Sequence, residues 1–107
     1  MAEYFLDNDY KDAAAVLVGG VLEEHLRQLC SKHKITATDS KGKPHKADRM
    51  NADLAKAQVC TKLEQKDITA WLGLRNNAAH AKYSEYTKDQ VVVMLQGVRG
   101  FASRMPS

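Results

Sequence analysis

Proline is nearly missing from this chain of 107 residues: only Pro44 and Pro106 occur. Neither falls inside a periodic segment, so no helix has to be broken to accommodate one. Aromatic side chains are also scarce, at 7%, and no segment alternates apolar and polar residues long enough to make a strand. The run "VVVML" at residues 91–95 is β-prone by itself, but its flanks carry helical spacing. Cysteine is limited to Cys30 and Cys60, far apart and without a CxxC. Reduced thiols in a cytoplasmic protein are the expectation. No apolar run approaches the roughly 20 residues that cross a bilayer, and the opening "MAEYFLDNDY" is too acidic and polar for a signal peptide. The P-loop, GxGxxG, HExxH and GxSxG signatures and Asp-rich loops are all lacking, which removes most familiar enzyme classes.

What is present is apolar and helical. Hydrophobic residues make up 44%, enough for one domain over residues 1–107 with a single core. Four helical segments emerge, giving an all-α fold read as an up-down four-helix bundle. The first runs from about Ala2 to Ser31, with Ala13, Val16, Leu17, Val18, Val21, Leu22, Leu26 and Leu29 at three- and four-residue spacings. So wide a stripe implies packing against more than one neighbour. Gly19 and Gly20 interrupt it, each at a cost of about 1 kcal/mol relative to Ala; a close helix approach or a kink would explain them. A short second helix is expected over Met50 to Val59, with Asn51 as a possible N-cap and Leu54 and Ala57 inward. The third is expected from about Lys62 to Ala79, with Ile68, Leu72 and Ala79 inward and Trp71 and Leu74 widening that face. Thr87 and Gln90 form a capping box that opens the fourth. It runs to about Arg104 on Val91, Val92, Met94, Leu95, Val98, Phe101 and Ala102.

Net charge is a mild +3, which permits an anionic partner without demanding one. The cations are concentrated in the long polar loop between the first two helices, where Lys32, Lys34, Lys41, Lys43, Lys46 and Arg49 face only Asp39 and Asp48. The loop reads either as a solvated connection or as a phosphate-attracting arm beside a site.

The chemistry is concentrated in "WLGLRNNAAHAKY", Trp71 to Tyr83. Arg75 offers a planar fork of donors for phosphate or carboxylate. His80 can take or give a proton near neutral pH, and Asn76 can orient either. On an ideal helix Arg75 and His80 point about 140° apart. They can serve one ligand only where the helix ends near Ala79, or where two copies meet across a dimer axis. With no cluster of carboxylates nearby, a hydrolytic magnesium site is disfavoured. The set suits metal-free RNA cleavage: imidazole removes the 2′-hydroxyl proton, the oxygen attacks phosphorus, and Arg75 stabilises the phosphorane. One imidazole cannot be base and acid at once, but a homodimer would supply two. The structural alternative is plain capping, since Arg and His suit a helix C-terminus and Asn tolerates the left-handed cap.

"LRNNAAH" resembles the R-x4–6-H motif of the HEPN superfamily, the higher-eukaryote and prokaryote nucleotide-binding domains. Arg75, Asn76 and His80 fit its form near the end of a third helix. "AAAVLVGGVLEEHLRQLC" is similar to the opening helix of many such domains, and "YTKDQVVVMLQGVRGFASR" to their closing helix. The likeness covers most of the chain but not the Lys-rich loop. It implies a dimerising helical bundle that brings both motifs together. It also implies a metal-independent endoribonuclease of toxin–antitoxin, phage-defence or RNA-processing type, with a possible cognate antitoxin or defence-system partner. Some members only bind RNA, nucleotides or proteins. One toxin subfamily carries a Tyr two residues after the His; here that position is Lys82, and Tyr83 follows it.

Around this centre, Lys82 could hold a neighbouring phosphate and Tyr83 could stack on a base, with Asn77 a third substrate-contacting candidate. A plain surface turn is the alternative for this stretch. Glu24 falls on the inward line of Leu17, Gly20 and Val21 and would pair with Arg75 if buried; otherwise it is solvated at the stripe edge. His25, Cys30 and His33 have spacings too irregular for one metal-binding face. No metal, cofactor or membrane association is expected.

Overall fold

The computed structural model describes residues 11–107. They form α1 (Lys11–Lys32), α2 (Ala47–Lys56), α3 (Lys62–Ala79) and α4 (Lys88–Arg104), with a 3-10 turn at Tyr83–Glu85 before α4. The part of the first helix expected over residues 2–10 lies outside the described residues. Among those described there is no strand, and the long α1–α2 loop holds only an isolated antiparallel bridge between Thr38 and Pro44.

α1 packs against each of the other three helices. Val18, Leu22, Leu26 and Leu29 from α1 meet Met50 and Leu54 of α2, Ile68 and Leu72 of α3, and Val91, Met94, Val98 and Phe101 of α4, all of them buried. Each large side chain so buried contributes about 1.5–3 kcal/mol. α3 and α4 close tightly where Gly97 sits against the Trp71 ring: a Cβ on Gly97 would fall 2.9 Å from Trp71 Cε2 and closer still to Cζ2.

The inward stripe of α1 is narrower than its sequence suggests. Val16, Leu17 and Val21 are exposed, because the three partners of α1 cover only the line through Val18, Leu22, Leu26 and Leu29. Two other inward assignments also change. Ala57 is exposed as the residue that ends α2, and Ala78 rather than Ala79 is buried on α3.

α2 starts three residues before the position expected, at Ala47 after Lys46. Asn51 is therefore not an N-cap. It is buried mid-helix, and its Nδ2 donates to Gln65 O and Thr69 Oγ1, both at 3.1 Å. The capping box at Thr87 and Gln90 is present, and Thr61 with Glu64 forms a second one that opens α3.

Three helices end in the same way. Lys34, Gln58 and Ala81 adopt left-handed φ of 59°, 60° and 59°. The following N–H then reaches back to the carbonyl five residues earlier, as in Ile35 N to Cys30 O (2.8 Å), Val59 N to Leu54 O (3.0 Å) and Lys82 N to Asn77 O (2.8 Å). This is the Schellman arrangement, here built without the glycine that usually occupies the left-handed position.

Candidate RNA-binding groove at the end of α3

α3 stops where the motif needs it to stop. Ala79 is the last helical residue, and His80 is the C-cap at φ −97°, ψ 17°. Ala81 turns left-handed, and its N–H bonds to Ala78 O at 3.2 Å. His80 closes the helix with its N–H still bonded to Asn76 O at 3.0 Å, and it lines the same groove as Arg75.

Arg75 is set by α1. A Cβ on Gly19 would lie 2.7 Å from Arg75 Cβ and closer still to Cγ, so the aliphatic stem of Arg75 occupies the space a side chain at 19 would fill. The close approach inferred for the glycine pair belongs to Gly19 alone; nothing lies within 4 Å of a Cβ on Gly20. Beyond Gly19, the guanidinium meets a carboxylate one helical turn along α1. Arg75 Nη1 donates to Glu23 Oε1 at 3.3 Å, and Nε donates to Asn76 Oδ1 at 3.1 Å. Asn76 therefore holds the Arg fork.

The carboxylate expected at Glu24 is supplied by its neighbour. Glu24 is exposed and accepts from Gln28 Nε2 at 3.3 Å. One residue along a helix turns the side chain by about 100°. Because Leu17, Gly20 and Val21 face outward, Glu24 faces outward with them, and Glu23 is brought round to Arg75.

Arg75, Asn76, Asn77, His80 and Lys82 line one groove of about 870 Å³. The opposite wall consists of Glu23 and Arg27 of α1, and Pro44, His45 and Lys46 at the end of the polar loop; of these, only Lys46 was offered by the sequence, as part of the phosphate-attracting arm. These walls are joined through side chains. Glu23 Oε2 lies 4.0 Å from Arg27 Nη2, and Arg27 Nη2 donates to His45 O at 3.2 Å. Of the Lys-rich loop, then, its last residues flank the motif, while its middle folds back on itself around Asp39, whose Oδ1 accepts from the N–H groups of Lys41 and Lys43 at 2.8 and 2.9 Å. The arm reading put Lys46 beside the site; nothing in the sequence linked Glu23, Arg27, Pro44 or His45 to Arg75. Tyr83 opens the 3-10 turn, and its side chain lies outside the described residues.

Cys30 and Cys60 are both buried free thiols. Burial pushes Cys60 up to about 11, helped by the nearby Glu64 carboxylate, and pushes Cys30 up as well. His25 Nε2 is hydrogen-bonded to Met105 O at 2.7 Å, with its ring edge-on to Phe101. Among the described residues no three His, Cys, Asp or Glu side chains gather as a metal site, and no helix is long and apolar enough to cross a membrane. Chemically, the groove offers a held guanidinium, an accessible imidazole, amides and lysines, a set suited to a polyanion rather than to an apolar ligand. Comparison with known protein families, characterised proteins and solved structures gives no match.

Proposed function

We propose that the chain is a HEPN-like, metal-independent endoribonuclease of the toxin or defence type, working in the cytoplasm as a homodimer. One observation carries this reading: Arg75 and Asn76 in the last turns of α3, and His80 and Lys82 just past its end, line a single groove. In the proposed reaction a ring nitrogen of His80 takes the proton of a ribose 2′-hydroxyl. The 2′-oxygen attacks the adjacent phosphorus, and the bond from phosphorus to the 5′-oxygen breaks. The products are a 2′,3′-cyclic phosphate and a 5′-hydroxyl. Arg75 stabilises the charge that builds on the phosphorane, and Asn76 fixes the guanidinium. The leaving 5′-oxygen needs a proton, which the His80 of a second copy supplies in this scheme. The exposed strip of Val16, Leu17 and Val21 on α1 offers apolar area for such pairing. Lys82 and Asn77 hold the flanking strand, Tyr83 stacks on a base, and a cognate antitoxin or defence partner would restrain the activity.

A second reading has its own support. Arg75 is already engaged by Glu23, which offsets part of the charge a phosphorane would draw on. The engaged Arg75, and a His80 ring with no hydrogen-bond partner among the described residues, suit a module that binds RNA, a nucleotide or a protein partner without cutting. The two readings part in one experiment with RNA in EDTA. For the nuclease, Arg75→Ala and His80→Ala each remove cleavage by 100-fold or more, on the order expected for losing one such group, with helicity and dimerisation kept. For the module, wild type binds without cutting, Arg75→Ala weakens binding, and His80→Ala changes little.

A further inference from the structure

The α2 side of the groove carries polar atoms that the proposed cleavage does not use. Asn51, one turn into α2, is only 3% exposed and lines the groove. The orientation of its amide is fixed. Thr69 Oγ1 donates its own proton to Gln65 O at 2.8 Å, so both neighbours of the amide can act only as acceptors toward it, and the NH2 group must face them. That leaves Asn51 Oδ1 buried with no hydrogen-bond partner among the described residues, a state that costs free energy unless something donates to it.

His45 has a similar feature. Its N–H donates to Ala37 O at 2.8 Å and its carbonyl accepts from Arg27, so the residue is held at both backbone groups. Ring Nδ1 is buried without a partner among the described residues, which leaves Nε2 as the nitrogen that can meet a ligand. Of the two single-proton tautomers, the one with its proton on Nε2 avoids a buried, unpaired N–H at Nδ1. Beside it α2 begins with no side-chain cap. Its first helical bond is Met50 N to Lys46 O at 3.1 Å, so the N–H groups of Ala47, Asp48 and Arg49 stand ahead of it at the positive end of the helix dipole.

We propose that this wall is a second subsite, for a neighbouring nucleotide of the same RNA strand. The phosphate sits on His45 Nε2–H, Lys46 and the amino end of α2, and a ribose hydroxyl or base N–H donates to Asn51 Oδ1. Asp48, on the same turn, repels a bare anion, but its carboxylate is a further acceptor for a sugar hydroxyl. A nucleotide, which carries both a charge and donors, fits; inorganic phosphate does not. The inference rests on the RNA reading above and specifies what that groove must hold: two linked phosphates, one at His80 and one at Lys46.

The test uses the full chain carrying His80→Ala, to prevent cleavage, in EDTA at low salt. The probes are a dinucleotide with one phosphate, a trinucleotide with two, and inorganic phosphate. The trinucleotide binds about tenfold tighter than the dinucleotide, the worth of one charge-assisted contact set, and inorganic phosphate binds worst. Adding His45→Ala and Lys46→Ala removes that step, so that the trinucleotide then binds no tighter than the dinucleotide. The Asn51 side-chain amide resonances shift with the trinucleotide and not with the dinucleotide, a readout that needs no change at a buried residue. Equal affinity for the two oligonucleotides, or a step that survives in the His45/Lys46 variant, overturns the subsite while leaving the RNA reading standing. Failure of both oligonucleotides to bind overturns the RNA reading and the subsite together.

Discussion

Gly19 and Gly20 are adjacent and chemically identical, yet α1 uses them differently. The Gly19 position is filled by the Arg75 stem, and the Gly20 position faces open space. In sequence the pair reads as one feature, because the reason for Gly19 lies 56 residues away at Arg75 on another helix. Gly20→Ala is predicted to stabilise the protein by up to about 1 kcal/mol through helix propensity. Gly19→Ala is predicted to destabilise it by about 1–3 kcal/mol through overpacking and to weaken RNA binding by moving Arg75. Thermal or denaturant unfolding of the two variants side by side checks both signs. The choice between Glu23 and Glu24 has the same lesson: either residue could have faced Arg75, and the helix phase that decides it is set by which of α1's apolar residues find partners. Cys60 gives a pH prediction. Its thiol is raised from an ordinary 9.0 to about 11, so between these values the unfolded chain has lost a proton that the folded chain keeps. Stability is full below pH 9 and falls as pH rises toward 11. Denaturant midpoints across that range should fall in wild type and fall less in Cys60→Ala, once its own constant destabilisation is subtracted.

At the scale of elements, legibility follows the side-chain signals. α3 and α4 were readable because apolar spacing is strong in both and because Thr87 and Gln90 announce a capping box. α2 was misplaced because its amino end carries no capping side chain at Lys46, so Asn51, a residue type common at N-caps, drew the boundary too far along the chain. The ends of α1, α3 and α4 fell at or within one residue of those expected, whereas α2 ends at Lys56 rather than Val59, because Gln58 holds a left-handed conformation that sequence reading associates with glycine. Ala81 turns the chain away directly after His80, the C-cap of α3. A non-glycine residue there costs about 1–2 kcal/mol, so Ala81→Gly is predicted to stabilise the fold by about 1 kcal/mol while preserving the Lys82-to-Asn77 bond. Denaturant unfolding gives the sign, and amide exchange at Lys82 reports whether the turn survives. The position of the motif at a helix end was legible from the angular conflict between Arg75 and His80; the Schellman closure that produces it was not.

Across the whole molecule, the groove is the product of three helices and a loop. α3 supplies the motif. α1 supplies Gly19 as a slot and Glu23 as a counter-charge, and through Arg27 it holds the end of the polar loop at His45. α2 adds the other wall. None of these connections is local in sequence, which is why the motif stretch could be identified from its composition while its surroundings could not. A ligand spanning this groove meets Lys82 and Lys46 as well as Arg75, so its binding should weaken steeply with salt if it is a nucleic acid strand. The most direct test of the account is end-group analysis of RNA incubated with the wild-type protein in EDTA. The account predicts 2′,3′-cyclic phosphate and 5′-hydroxyl ends that are absent with His80→Ala. Ends bearing 5′-phosphate and 3′-hydroxyl, equal cleavage by His80→Ala, or no cleavage at all would contradict it.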